Sequence, residues 1–355
     1  MHKRLFIPGP TEVRKSNLEA MATPMIGHRF PEFDVLFKST VEKVQKLLYT
    51  NNIIFVSTSS STGLMEGAMR NCVSKRVLSC VNGAFSKRWA QIGEANGKEV
   101  DRLEVEWGKA IKPEMIDEKL KTGKYDAISI ALNETSTGVY SPITEIAEVM
   151  KKYPDVIFMV DAVSCMAGTK IEVDKLGIDV VLAGVQKAFA LPPGLAVAAI
   201  SEKAMEKAKT VENRGYYFDF LVMKKYYDKW ETPATPSISH IYALDKQMSY
   251  ILEEGLDNRF NRHLKMAEYT RNWAKERGFT MFSEEGYHSP TVSCINNTKG
   301  FKVGDLNAFL AEKGAVISNG YGTLKEKTFR IAHMGDTQMS NMEELLSWID
   351  EFLSK

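Results

Sequence analysis

Cysteine is scarce in this 355-residue chain: Cys72, Cys80, Cys165 and Cys294 stand far apart and form no CxxC pair. Their spacing excludes a disulfide framework, and their apolar or small-residue surroundings mark them as reduced and mostly buried. Histidine is as thin, six residues with no HxxxH motif and no His/Cys cluster, so a dedicated metal site has no ligand set. An excess of one charge is missing too. The 46 basic and 45 acidic side chains leave a net +1, and no block of like charge is available to neutralise a nucleic-acid backbone or an anionic membrane. No apolar run is long enough for a bilayer, and the opening MHKRLFIPGP has a three-residue apolar stretch before Pro8, too short for a signal-peptide core. The expectation is a soluble, cytoplasmic protein without nucleic-acid or membrane partners.

What is present is an ordinary globular balance, 44% hydrophobic and 26% charged, in a chain long enough for two domains. Short β-branched runs alternate with helical patterns from about residue 52 to 201, which predicts an α/β fold with a mostly parallel sheet covered by helices. The predicted strands are Ile53 to Ser57, Arg76 to Val81, Ala127 to Leu132, Val156 to Asp161, Ile178 to Ala183 and Leu195 to Ile200, with Glu99 to Val105 a weaker seventh. Thr144 to Lys152 reads as a helix between them. Beyond Ser201 come a charged helix, the aromatic stretch YYFDFLVMKKYYDKW, a proline-punctuated TPATPS and a long amphipathic helix over about 238–254. A further helix, strand-like segments near Met281, Thr291 and Phe329, and a final helix from Ser340 predict a smaller C-terminal α+β domain. The expected division is an arm over 1–14, a large domain over 15–250 and a small one over 251–355.

Five segments carry chemistry. In DVVLAGVQKAFALPPG a β-run delivers Gln186 and Lys187 to its carboxyl end, where open α/β sheets bind ligands. Apolar neighbours would desolvate Lys187, lower its pKa and make it a nucleophile toward an aldehyde, although a lone lysine is more often a surface residue. Asp161 ends the strand one βα unit upstream and could face a pyridine nitrogen, or simply cap a helix. The run Ser57 to Thr62, followed by a helical pattern over Leu64 to Asn71, makes an anion cradle suited to a phosphate ester; ordinary capping is the plainer alternative. Asn133 to Gly138 (NETSTG) places hydroxyls at another strand end. Arg330, in TFRIAH, could clamp a carboxylate with its planar fork, or serve a structural ion pair.

Together with Pro8 to Pro10, Gly27 to Arg29, Asn82 to Phe85, Glu134 to Val139, Pro192 to Gly194 and Phe329 to Ile331, these segments give the chain an ordered set of motifs. In that order they resemble the class V aminotransferases that use pyridoxal 5'-phosphate, nearest the alanine:glyoxylate and serine:pyruvate group, over essentially the whole chain. The resemblance implies the type I fold of PLP-dependent transferases and a homodimer with shared active sites. It implies Lys187 as the Schiff-base lysine and proton shuttle, Asp161 on the pyridine nitrogen, Phe85 stacked on the ring and Thr135 near the phenolate oxygen. Ser60, Ser61, Thr62 and Gln186 match the phosphate positions, with Thr232, or else Thr235, reaching in from the neighbouring subunit. Arg330 matches the substrate-carboxylate arginine, with the backbone near Gly9 closing over it. Three departures stand out: Ser61 in place of a common Gly, Val185 in place of Ser, and Phe85 where some members have Trp.

The implied reaction is transamination between a small amino acid (alanine or serine, with aspartate or phosphoserine as alternatives) and glyoxylate or pyruvate. A sulfur-removing lyase on the same fold would need a cysteine on a mobile loop of the C-terminal half, where only Cys294 lies, within strand-like TVSCI. A non-catalytic interaction subunit would have no need of both Lys187 and Asp161.

Overall fold

The computed structural model describes residues 2–355. Its central sheet has seven strands: β2 (Ile53–Ser57), β3 (Arg76–Val81), β4 (Glu99–Glu104), β5 (Ala127–Ala131), β8 (Ile157–Asp161), β9 (Val180–Gly184) and β10 (Ala196–Ile200). They lie in the order β2-β10-β9-β8-β5-β3-β4. Only β10 runs against the rest, pairing antiparallel with both β2 and β9. A small ribbon, β6 (Asn133–Glu134) with β7 (Val139–Tyr140), follows β5. The second sheet comprises β1 (Arg4–Phe6), β11 (Thr280–Met281), β12 (Val292–Asn296), β13 (Ala315–Asn319) and β14 (Thr328–Ala332), in the order β1-β13-β14-β12-β11.

The central strands are continuous apolar runs because both faces are covered. Along β8, Phe158 and Val160 join the core beneath the helices Pro31–Leu48 and Ile238–Glu254. Ile157 and Met159 join the opposite core, beneath Ser61–Cys72 and Glu202–Thr210. The same alternation runs through β2, β9 and β10, so a one-residue slip would exchange two packed faces at once. A third core, with Phe6, Trp273, Phe279, Phe329 and Leu345, sits between the second sheet and its helices.

Every strand expected in the central sheet is present, shifted by at most two residues at either end. Two strands of the second sheet, β1 and β13, were not anticipated. Strand β1 lies within the expected N-terminal arm and pairs in parallel with β13, Arg4 opposite Ala315. The helix after β2 begins at Ser61, not Leu64, because its first turn tolerates hydroxyl residues whose backbone N–H groups have no intrahelical partner.

Candidate active site

Five parallel strands of the central sheet end on one edge, and the loops leaving them meet in a cleft of about 180 Å³. Its walls carry Ser60, Ser61 and Thr62 after β2, Phe85 and Arg88 after β3, and Asn133 and Thr135 after β5. Asp161 ends β8, and Gln186 and Lys187 follow β9. Residues far apart in sequence are neighbours here for one reason: parallel strands deliver their carboxyl ends to the same side.

Lys187 is half-buried, and its Nζ donates to the Pro8 carbonyl. Desolvation, then the charge of Arg330, brings its amine down to about 8. The Gln186–Lys187 backbone is held from the N-terminal segment, since Thr11 N donates to Gln186 O at 3.1 Å and Thr11 Oγ1 to Lys187 O at 3.0 Å. Gly9 lies against the lysine stem at φ +97°. A Cβ there would stand 2.9 Å from Nζ, so only glycine fits.

Asp161 is 2% exposed, and desolvation raises its carboxyl to about 6. It caps no helix. Its Oδ1 accepts from Val163 N at 2.9 Å, and its Oδ2 from Trp89 Nε1 at 3.0 Å. Thr135 Oγ1 donates to Ser164 Oγ at 2.7 Å.

The Ser60 hydroxyl forms no cap bond to its own helix and is left for another partner. Ser61 is the first helical residue and has no left-handed backbone, so glycine is not required there. Val185 is fully buried in the core, which explains an apolar side chain at that position.

Arg330 is 7% exposed, from β14. Its Nε and Nη1 donate to the carbonyls of Asn319 and Thr135, both at 3.2 Å, and Tyr321 lies 5.5 Å beneath its guanidinium. Both hydrogen bonds go to neutral oxygens, so a buried guanidinium is left able to take an anion. The Tyr321 ring also packs on Phe85, centroids 5.1 Å apart.

Thr232 and Thr235 do not line this cleft. They belong to a separate one with Thr58, Tyr216 and Tyr217, where Thr232 Oγ1 donates to Ala234 O.

Besides Arg88 on the cleft wall, three residues escaped the sequence reading. Glu134, fully buried, accepts from Ser86 N (2.8 Å), Phe85 N (3.3 Å) and the Ser86 and Ser136 hydroxyls, and so anchors the start of helix Ala84–Ala95 that carries Phe85. An anion at a helix N-terminus is also favoured by the dipole. Trp89, on the same helix, orients Asp161. Tyr321 joins Phe85 to Arg330. The acid of NETSTG was the available signal for the first; nothing local marks the other two.

The arrangement fits pyridoxal phosphate. Asn133 Oδ1 is buried on the cleft wall without a hydrogen-bond partner, Ser60 Oγ is free, and a depressed amine faces a buried carboxylate.

The sequence profile described as aminotransferase class-V matches residues 14–339. An uncharacterized aminotransferase of Methanocaldococcus jannaschii is 42% identical over 94% of this chain and 88% of its own length. The L-aspartate–glyoxylate aminotransferase of Paracoccus denitrificans is 33% identical over 93% and 86%. An alanine–glyoxylate aminotransferase from Nostoc sp. superposes with a TM-score of 0.93 over 99% of this chain and 96% of that one, at 26% identity. The chain therefore belongs to the class V aminotransferases, enzymes that move an amino group with the help of pyridoxal phosphate.

Proposed function

We propose that the chain transfers the amino group of a small amino acid, alanine or serine with aspartate as a further donor, to glyoxylate or pyruvate, with Lys187 as the reacting amine. The observation that carries this reading is the shared cleft of Lys187, Asp161 and the Ser60–Thr62 turn. The names of the aspartate–glyoxylate and alanine–glyoxylate relatives support the acceptor.

When bound, pyridoxal phosphate supplies an aldehyde for the lysine and a ring that draws electrons from the substrate α-carbon. The residues do the rest. Lys187 Nζ, near 8, is partly neutral at physiological pH; it would hold the cofactor and move the proton at the substrate α-carbon. Asp161 holds the ring nitrogen, Thr135 the phenolate oxygen and Phe85 the ring face. Ser60, Ser61, Thr62 and Gln186 bind the phosphate. Arg330 takes the substrate carboxylate, with the Gly9 backbone closing over it.

The same reading includes a homodimer in which Thr232, with Thr235 second, serves the partner's cleft. Exposed Met25 (66%), Phe30 (61%) and Val35 (71%) support an interface on this side. Residues 15–250 are read as the cofactor domain and 251–355 as the small domain. Four buried, unpaired cysteines support the reducing cytoplasm, and no described helix is long and apolar enough to cross a membrane.

A sulfur-removing reading finds no support: Cys294 is buried within β12, its thiol pushed up to about 11 by burial. Stopped-flow mixing of the holoenzyme with a panel of amino acids tests the proposal. Rapid single-turnover loss of the cofactor's visible band is expected with alanine, serine or aspartate. Reaction with none of them, or sulfide release from cysteine, would refute it.

A further inference from the structure

The residues assigned to the phosphate end, Ser60, Ser61, Thr62 and Gln186, are all neutral. A phosphate ester carries about −1.5 to −2 charges at pH 7, and a helix N-terminus answers with about +0.5. Most of the anion's charge is thus unmatched by the assigned set.

Arg88 stands on the same wall of the cleft. It lies one helical turn beyond Phe85 on Ala84–Ala95, so the two side chains share a helix face. Its guanidinium sits 5.1 Å from the centre of the Phe85 ring, and its Nη1 is 3.4 Å from Thr62 Oγ1. That long bond to Thr62 is its one hydrogen bond among the described residues, and no carboxylate pairs with it there. An arginine fixed over an aromatic face, with most of its five donors unused and a helix N-terminus beside it, is equipped for bidentate contact with an oxyanion.

We propose that Arg88 is the cationic contact of the cofactor phosphate, drawn from Thr62 onto the anion and held in plane by Phe85. The proposal rests on the reading that the Ser60–Thr62 turn holds the phosphate. Arg88 and Arg330 then have separate duties. Arg330 meets Thr135 and Tyr321 and serves the substrate carboxylate, whereas Arg88 meets Thr62 and serves the cofactor. Phe85 touches both sides, packing on Tyr321 and under Arg88.

The test compares two probes, pyridoxal phosphate and phosphate-free pyridoxal, titrated into cofactor-stripped full-length protein and followed by absorbance. Arg88→Gln is expected to weaken pyridoxal phosphate about ten- to hundredfold, the range of a hydrogen bond to a charged group. It should leave pyridoxal unchanged. Arg88→Lys, which keeps the charge and loses the fork, should recover part of the difference. Equal weakening of both probes by Arg88→Gln would overturn the proposal, as would no change in either. A loss confined to the KM of dicarboxylic donors would make Arg88 a substrate residue and overturn it too. If the unmodified protein binds pyridoxal as tightly as pyridoxal phosphate, the phosphate reading of the Ser60–Thr62 turn falls. If it prefers pyridoxal phosphate and Arg88→Gln keeps that preference, only the role of Arg88 falls.

Discussion

At the scale of single residues, the site works by unequal desolvation. Burial lowers the Lys187 amine to about 8 and raises the Asp161 carboxyl to about 6, so nucleophile and counter-charge approach neutrality together. An amine attacks only when unprotonated. The rate at which cofactor-stripped protein captures pyridoxal phosphate should therefore climb with pH and level off above about 8, and a flat profile would contradict this role. Lys187→Ala should abolish covalent capture, checked by whether the cofactor survives borohydride treatment as an adduct. At Arg330 the geometry of the fork matters as much as its charge. Arg330→Lys should raise KM for every amino donor and lower kcat/KM about ten- to hundredfold, as steady-state kinetics would show.

At the scale of elements, one buried side chain ties the helix Leu256–Glu276 to the catalytic loop. Arg259, fully buried, donates to the carbonyls of Ala188 (2.8 Å) and Ala167 (2.7 Å) and pairs with Glu254 and Asp336, both at 3.0 Å. Removing it takes the Arg259 donors from the Ala167 and Ala188 carbonyls and leaves Glu254 to Arg262 and Asp336 to Arg14, so Arg259→Met should cost about 1.5–3 kcal/mol in urea denaturation. Burial alone would raise the Asp336 carboxyl, but Arg259 and Arg14 outweigh it and hold it below its ordinary 3.8. A depressed carboxylate stabilises the fold above the unfolded value and loses that contribution as pH falls through the folded one. Acid unfolding of Arg259→Met should consequently show a shallower pH dependence than the unmodified protein.

The central strands were legible in the sequence because strands buried on both faces become unbroken apolar runs, as in IIFVS and VIFMVD. The lysine, the aspartate and the hydroxyl turn were legible because strand ends announce themselves. Arg259, Trp89 and Arg88 were not, since each sits in an ordinary amphipathic helix and meets a partner 92, 72 and 26 residues away in sequence, respectively. Strand β1 was hidden for the same reason: three residues, RLF, have no pattern until β13 lies beside them.

At the scale of the whole molecule, the reading requires two chains. Thr232 and Thr235 face a cleft other than their own catalytic one, and Met25, Phe30 and Val35 stand exposed on the segment whose Arg29 donates to the Thr232 carbonyl at 2.7 Å. Sedimentation of the holoenzyme should give twice the chain mass. A stable monomer with full activity would remove Thr232 from the site, whereas Thr232→Ala should leave the mass unchanged and weaken cofactor binding in titration.

Strand β1 and the Pro8–Thr11 segment behind it have a further consequence, in time as well as space. Ala315 is synthesised 311 residues after its partner Arg4. The anchor that β13 gives to the segment over Lys187 therefore forms only after the central sheet has been made. A chain truncated before β13 would lose that anchor and keep only the Thr11 bonds to Gln186 and Lys187 to hold the segment over the amine.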